Sequence, residues 1–357
     1  MRIRRIISIM TAIFMLLGVL ASCDLIKLQS LFDDESGSDM QSEEQSEVQS
    51  EEQSEVQSES ESLEESESNT EKEDNEYRVL FTSDMHYTTL SNYYKVDRDT
   101  RLQFWVDGIL EEHSRRPFDL IIILGDMSLD YWGWNGGGSY QREPSVSDTK
   151  IFMEKYVSQL PQDVPVLVLP GNHELYTNEK WNELVGNDRN ESFVLGDNLF
   201  VIPDSYAGAV DPEYEGGGKN DGPYAPVDMD FVQGEIDKHP ECKNIFLVSH
   251  HFDMELESEE FKTLLKTEDR IVGLFSGHTH QYKVKSLGYG YNNLSIYQTG
   301  SFADSVSSDV ESFSWGFRDL IINEKGMSTS YIRPYCEYFA DGVKYIAPRK
   351  YIQISML

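Results

Sequence analysis

The chain has 357 residues and carries 63 Asp and Glu against 30 Lys and Arg, a formal net charge of −33. That balance excludes recognition of nucleic acid through a broad basic face. It also means that an anionic substrate must be met by local positive charge, for which metal ions are the ready source.

The elements follow in chain order. Arg2, Arg4 and Arg5 precede an apolar run from Ile6 to Leu20, and Leu20-Ala21-Ser22-Cys23 closes it. Charged segment, apolar segment and small residues before a cysteine are the parts of an export signal. The last four residues resemble a lipobox, which implies cleavage before Cys23 and a membrane anchor through lipid on that cysteine. The competing reading is a retained membrane-spanning helix, but the run is short of the ~20 residues that spanning needs. Either reading places the remainder outside the cytoplasmic membrane.

Residues 24–76 hold 20 acidic residues against 2 lysines, and SEEQSEVQ at 42–49 recurs unchanged at 50–57. With little to bury and mutual charge repulsion, this stretch is expected to be a disordered acidic tether. As a relaxed coil it would reach ~40 Å. A cation-binding or partner-binding role for the acidic run is the lesser alternative.

Residues 77–357, with 43 acidic and 25 basic residues, are enough for one sizeable domain. Strands are expected at Tyr77–Ser83, Asp119–Leu124, Pro165–Leu169, Asn244–Ser249 and Arg270–Phe275, short runs of Val, Ile, Leu and Phe. Leu102, Trp105, Val106, Ile109 and Leu110 recur at helical spacing. Ser147–Leu160 reads as a second helix, stopped by Pro161, and Phe231–Lys238 and Glu259–Leu265 as weaker ones. The alternation predicts an α/β fold with a mainly parallel sheet covered by helices. Ser295–Thr299, Phe317–Ile322 and Thr329–Ile332 read as strands of a second sheet packed on the first. Glycine-rich loops stand out around Gly136–Gly138 and Gly216–Gly218.

The five strands share a property at their carboxyl ends. They run into Asp84-Met85-His86, Gly125-Asp126, Gly171-Asn172-His173-Glu174, His250-His251 and Gly277-His278-Thr279-His280. Ligands of α/β sheets bind in the crevice beyond such ends. Singly, a Gly-Asn is a turn, an Asp a helix cap and a His a packed surface residue. Five in register point to a site. Oxygen and imidazole donors without thiolate suit Mn, Fe, Zn or Co. A carboxylate can bridge two ions, and glycines before Asp126, Asn172 and His278 permit close backbone approach.

The ordered set Asp-x-His, Gly-Asp, Gly-Asn-His-Glu, His, Gly-His-x-His, spanning Asp84 to His280, resembles the calcineurin-like metallophosphoesterases. The resemblance implies a four-layer α/β/β/α sandwich with a two-metal site at the carboxyl ends of the strands. It implies that Asp84, His86, Asp126 and His280 hold one ion. Asp126, Asn172, His250 and His278 hold the other, and a hydroxide between them attacks phosphorus. His173 would donate a proton to the leaving group, as histidine titrates in the useful range. Glu174 either orients His173 or caps a helix starting near Leu175. His250 is chosen over His251 as the first histidine after its strand, leaving His251 for the substrate pocket. Asp130 is expected to hold its loop by hydrogen bonds. Leu129 stands where purple acid phosphatases have a tyrosine, and no arginine follows Asp130 as in protein serine/threonine phosphatases. The pattern is closer to small bacterial phosphatases and phosphodiesterases.

The implied activity is hydrolysis of a small phosphorylated substrate at the cell surface. The alternative from another class is a binding or scaffold lipoprotein with a structural metal. Trp132, Trp134, Asn135, Tyr140, Tyr224 and His251 are pocket candidates. Export would permit a disulfide between Cys242 and Cys336, but sequence does not reveal their proximity.

Overall fold

In the first strand, β1 (Tyr77–Thr82), Leu80 packs into one apolar cluster while Val79 and Phe81 pack into another. Burial on both faces is the rule for the inner strands of this protein, and it explains their unbroken apolar runs. The computed structural model describes residues 76–89, 96–131, 146–206, 222, 224–303, 315–340 and 343–355. Contacts divide the chain into residues 1–65 and 66–357, and every described residue belongs to the second unit. The expected signal peptide, nearly all of the tether, the two glycine-rich loops, and Trp132, Trp134, Asn135 and Tyr140 lie outside the described residues.

From β1 the chain continues through α1 (Arg98–Arg115), β2 (Leu120–Leu124), α2 (Asp148–Lys155), β3 (Val166–Leu169) and α3 (Asn178–Val185). A hairpin follows, β4 (Glu191–Leu195) and β5 (Asn198–Ile202), then α4 (Met229–Lys238), β6 (Asn244–Ser249), α5 (Glu259–Thr267) and β7 (Ile271–Ser276). The last strands are β8 (Val284–Ser286), β9 (Ser295–Gln298), β10 (Phe317–Asn323), β11 (Gly326–Arg333), β12 (Cys336–Ala340), β13 (Val343–Ala347) and β14 (Lys350–Ser355).

Two six-stranded sheets result, ordered β14-β11-β10-β1-β2-β3 and β4-β5-β6-β7-β9-β8, with β12 and β13 forming a separate pair. Both large sheets are mixed. β1, β2 and β3 run parallel, as do β5, β6, β7 and β9, while the outer pairings are antiparallel. Between the sheets, Val79, Phe81, Ile122 and Leu124 meet Phe200, Phe246, Val248 and Phe275. Phe81 stacks on Phe275 with ring centres 4.1 Å apart. Burying each such side chain contributes about 1.5–3 kcal/mol. The outer face of the first sheet is covered by Leu102, Trp105, Val106 and Ile109 of α1, Phe152 of α2 and Trp181 of α3. Val232 and Ile236 of α4, with Phe261 and Leu265 of α5, cover the second. The layers are therefore α/β/β/α.

Here the expected strand grouping is corrected. The five strands read as one mainly parallel sheet are split, β1 to β3 in one sheet and β6 and β7 in the other. Ser295–Gln298 joins β7, whereas β10 and β11 return antiparallel beside β1. An apolar strand buried on both faces fits the middle of either sheet, so its pattern does not say which. Ser147–Leu160 is a shorter helix, α2, followed by a 3₁₀ turn at Val157–Gln159. The β4–β5 hairpin was not anticipated. Its signal was a two-residue Gly196-Asp197 turn, with Gly196 at φ +63° between two strand-like runs. Cys242 and Cys336 are free and lie in different cores, so they do not pair. Among the described residues no helix is long and apolar enough to cross a membrane.

Candidate metal centre

The parallel strands end together, and the loops beyond them lock to one another through backbone hydrogen bonds. The Asp84 N–H donates to the Gly125 carbonyl (3.0 Å), and the His86 N–H to the Asp126 carbonyl (2.9 Å). Two glycines make the closest approach. Gly125 has φ +80°, and a Cβ on Gly171 would fall 2.1 Å from Asp126 Oδ1. Asp84, His86, Asp126, His278 and His280 all adopt left-handed backbone angles, φ between 48° and 64°. A non-glycine residue there costs roughly 1–2 kcal/mol, though Asp and His tolerate it better than branched residues. This bend lets both members of Asp84-x-His86 and of His278-x-His280 turn toward one place.

Three overlapping groups of potential metal-ligating atoms converge: Asp84, His86 and His280; His86, Asp126 and His173; and Asp126, His250 and His278. In each acid one oxygen is engaged by backbone and the other faces imidazoles. Asp84 Oδ2 accepts the His278 N–H at 2.9 Å, leaving Oδ1 at 3.3 Å from His280 Nε2 and 3.9 Å from His86 Nε2. Asp126 Oδ1 accepts the His173 N–H at 3.0 Å. Its Oδ2 lies 3.5 Å from His86 Nε2, 3.2 Å from His250 Nε2 and 3.6 Å from His173 Nε2. Asn172 Oδ1 is 3.1 Å from His250 Nε2 and 2.9 Å from His278 Nδ1. Donors ~2.1 Å from a shared ion stand roughly 3.0–3.4 Å from each other, and the Asp84–His280, Asp126–His250 and Asn172–His250 spacings fall within that range. Asp84 Oδ1 is buried without a hydrogen bond of good geometry, as an oxygen reserved for a cation would be.

Electrostatics agree. Burial alone would raise Asp126, but His173 and His250 beside it hold it well below the usual carboxylate range. Asp84 is likewise lowered against its burial, chiefly by His280. Burial pushes His86 down to about 4, leaving a neutral ring, and His278 is lowered for the same reason. Burial would also lower His250, but the Asp126 carboxylate lifts it to about 10. His280 is raised in the same way, chiefly by Asp84. Both shifts favour the protonated ring, whose charge offsets that of the buried acids.

The neighbouring residues take roles that sequence left open or missed. Glu174 does not cap a helix, because α3 begins at Asn178 with Thr177 as its cap. Its buried carboxylate accepts three backbone N–H groups: Gly171 at 2.8 Å, Asp126 at 2.9 Å and Ser128 at 2.7 Å. Burial and the charge of Asp126 push it up, while the Ser128 and Gly171 N–H groups oppose the rise and favour the carboxylate. Asp130 accepts the N–H groups of Asp148 and Thr149 and the Tyr176 hydroxyl, tying its loop to the start of α2. His251 stacks on His278 with ring centres 4.3 Å apart and meets the edge of Tyr224 at 5.3 Å.

Three buried arginines were not singled out. Arg101 of α1 donates to the carbonyls of Met85, His86 and Phe302. Arg189, paired with Asp204, donates to the carbonyls of Glu174 and Tyr176. Arg318 of β10 donates to those of Tyr282 and Gln298. Each pins a loop beside a different part of the site. The available signal was a charge on an apolar face, since Arg101 lies one turn before Trp105 on α1.

An α/β/β/α sandwich with a His, Asp and Asn centre at the carboxyl ends of its strands is the arrangement of a metal-dependent phosphoesterase. The calcineurin-like phosphoesterase family model matches residues 77–282, and the chain belongs to that family. Among solved structures, it is similar to the purple acid phosphatase PPD1 of yellow lupin, at 14% identity over 79% of this chain and 54% of that one, TM-score 0.44. The chain thus spans about half the length of the lupin enzyme. It is also similar to a putative 5'-nucleotidase of Staphylococcus aureus, at 14% identity over 78% of this chain and 54% of that one, TM-score 0.37. A predicted phosphoesterase of Streptococcus pneumoniae is 10% identical over 79% of this chain and 100% of its own length, TM-score 0.33.

Proposed function

We propose that the chain hydrolyses small phosphoesters with two metal ions, drawn from Mn, Fe, Zn and Co, held at the strand ends. The observation that carries this is Asp126 Oδ2, which lies 3.5 Å from His86 Nε2 and 3.2 Å from His250 Nε2. Asp84, His86, Asp126 and His280 would hold one ion. Asp126, Asn172, His250 and His278 would hold the other. The other oxygen of Asp126, Oδ1, accepts the His173 N–H.

Bound there, such ions would neutralise phosphoryl charge and lower the pKa of the water they hold toward ~7, which makes attack on phosphorus accessible at neutral pH. The protein's own groups do the rest. Asn172 contributes a neutral oxygen, so the centre keeps net positive charge to offer an anionic substrate. His173 has its Nε2 3.4 Å from Asn172 Nδ2 and 3.6 Å from Asp126 Oδ2, at the rim of both groups. We assign it the proton that the departing alkoxide needs. His173 also falls within the group formed with His86 and Asp126. A role as donor to the first ion is therefore the reading against which proton donation must be tested. His251 and Tyr224 form an aromatic wall beside His278, suited to the organic part of the ester.

The proposed setting is extracytoplasmic, with the domain anchored through lipid on Cys23 and lifted from the membrane by residues 24–76. The support is the sequence of the first 76 residues. Release of a Cys23→Ala protein into the medium, with the native chain retained on membranes, is the expected result.

The activity itself is tested by loading the protein with Mn, Fe, Zn or Co and supplying p-nitrophenyl phosphate and bis-p-nitrophenyl phosphate. Turnover of either supports the hydrolase and separates monoesterase from diesterase. Absence of turnover with metal bound would instead favour a binding or scaffold lipoprotein with a structural metal.

A further inference from the structure

A second cluster of metal-ligating atoms, of different chemistry, lies away from the strand ends. After α4 the chain turns through His239-Pro240-Glu241-Cys242 and enters β6 at Asn244. The Cys242 N–H donates to the His239 carbonyl at 3.2 Å, closing the turn. Arg270 donates to the carbonyls of both His239 (3.3 Å) and Cys242 (3.5 Å), so one guanidinium ties its two ends. With the backbone fixed this way, a ring nitrogen of His239, a carboxylate oxygen of Glu241 and Sγ of Cys242 come within 4.8 Å of one another. His239 Nδ1 and Glu241 Oε1 are 3.2 Å apart.

Burial is graded across the three. Glu241 is exposed, His239 half-buried and Cys242 buried at the edge of the core formed by Ile236, Ile245 and Leu265. An Sγ this close to an exposed carboxylate lies just beneath the surface, within reach of an ion arriving from solvent. Nearby cations are matched by acids: Arg270 by Glu268 at 2.8 Å, Lys243 by Asp197 at 2.7 Å and Lys238 by Glu235 at 2.5 Å.

We propose that this turn is a separate metal site, taking a borderline-soft divalent ion such as Zn²⁺ through His239, Glu241 and Cys242. Imidazole, carboxylate and thiolate together select Zn²⁺ over Mn²⁺ or Mg²⁺, and three protein donors leave a fourth position for water. On binding, the Cys242 S–H bond breaks, its proton passes to solvent and a sulfur–metal bond forms. The proton shared by His239 and Glu241 passes to solvent or, through solvent, to the other ring nitrogen, and the freed imidazole nitrogen and carboxylate oxygen each form a bond to the ion. The ion would fasten the end of α4 to the start of β6. This site does not depend on the hydrolase reading, because it shares no residue with the strand-end centre.

The donor set supplies the test. The strand-end donors are oxygen and imidazole, so a thiolate-to-cobalt charge-transfer absorption in the near ultraviolet would report on a cysteine alone. Full-length protein titrated with Co²⁺ is expected to show this absorption and to bind one equivalent more than His239→Ala or Cys242→Ser. Cys336→Ser, altering the buried thiol of the other core, is expected to leave it unchanged. His239→Ala alters a half-buried residue and keeps the test available should Cys242→Ser fold poorly. No such absorption at saturating Co²⁺, or one that survives His239→Ala, overturns the proposal and leaves a His239–Glu241 hydrogen bond over a packed thiol.

Discussion

Glu174 Oε2 accepts the backbone N–H of Asp126 at 2.9 Å, joining the loop after β3 to the loop after β2 at the residue proposed to bridge the two ions. The same oxygen takes the Gly171 N–H, and Oε1 takes that of Ser128. Three donors converge on one buried acid, so both oxygens must be acceptors. Glu174→Gln turns an NH₂ toward at least one of these N–H groups. Leaving buried donors unsatisfied costs about 1–3 kcal/mol. The variant is expected to melt lower by an equivalent amount and to hold its metal more weakly. Unchanged stability and metal content would show that the three hydrogen bonds do not set the loop geometry.

Arg101 makes a complementary claim about the other end of the site. Its guanidinium gathers the carbonyls of Met85, His86 and Phe302, fixing the loop that carries Asp84 and His86. Arg101→Leu should weaken the ion held by Asp84, His86 and His280 more than its neighbour. Metal analysis across a range of free metal should show one ion lost well before the other. Equal weakening of both would mean that Arg101 serves the core generally.

His173 and Asn172 are adjacent yet assigned opposite tasks. Asn172→Ala should empty the position shared with His250 and His278. His173→Ala should retain both ions and lower turnover roughly 10²–10⁴-fold for esters with poor leaving groups, and much less for p-nitrophenyl esters. Loss of an ion from His173→Ala would make it a ligand in the group it forms with His86 and Asp126.

Metal uptake should release protons. His250 is held up to about 10 by Asp126, so its ring is protonated at neutral pH without an ion. Asp84 and Asp126 are lowered and already ionised there, so they release none. An ion must displace the His250 proton, and its apparent affinity should rise as pH rises toward the His250 value, by up to ~10-fold per pH unit for each proton released. Calorimetry in buffers of different ionisation heat measures this directly. No net release between about pH 6 and 8 would show that His250 is neutral before the ion arrives.

The placement of the candidate site was readable because every donor follows an apolar strand, and strands that end in register bring distant segments together. Asp84 and His280 are far apart in sequence, yet His280 Nε2 lies 3.3 Å from Asp84 Oδ1. The division of strands between sheets was not readable, because Phe81 and Phe275, stacked across the sandwich, have the same apolar surroundings in either arrangement. The backbone contacts of Glu174 and Arg101 were not legible for a related reason. Both act on backbone N–H and carbonyl groups of other segments, and such partners leave no residue-type signature. The β4–β5 hairpin was legible in the two-residue Gly196-Asp197 turn between strand-like runs.

The central claim is that Asp126 stands between two ions. Crystals of the Mn²⁺-loaded protein, with anomalous scattering recorded near the manganese edge, measure this most directly. Two peaks are predicted on either side of Asp126 Oδ2, one among Asp84, His86 and His280 and the other among Asn172, His250 and His278. A single peak at saturating metal, or one liganded by His173, would contradict it.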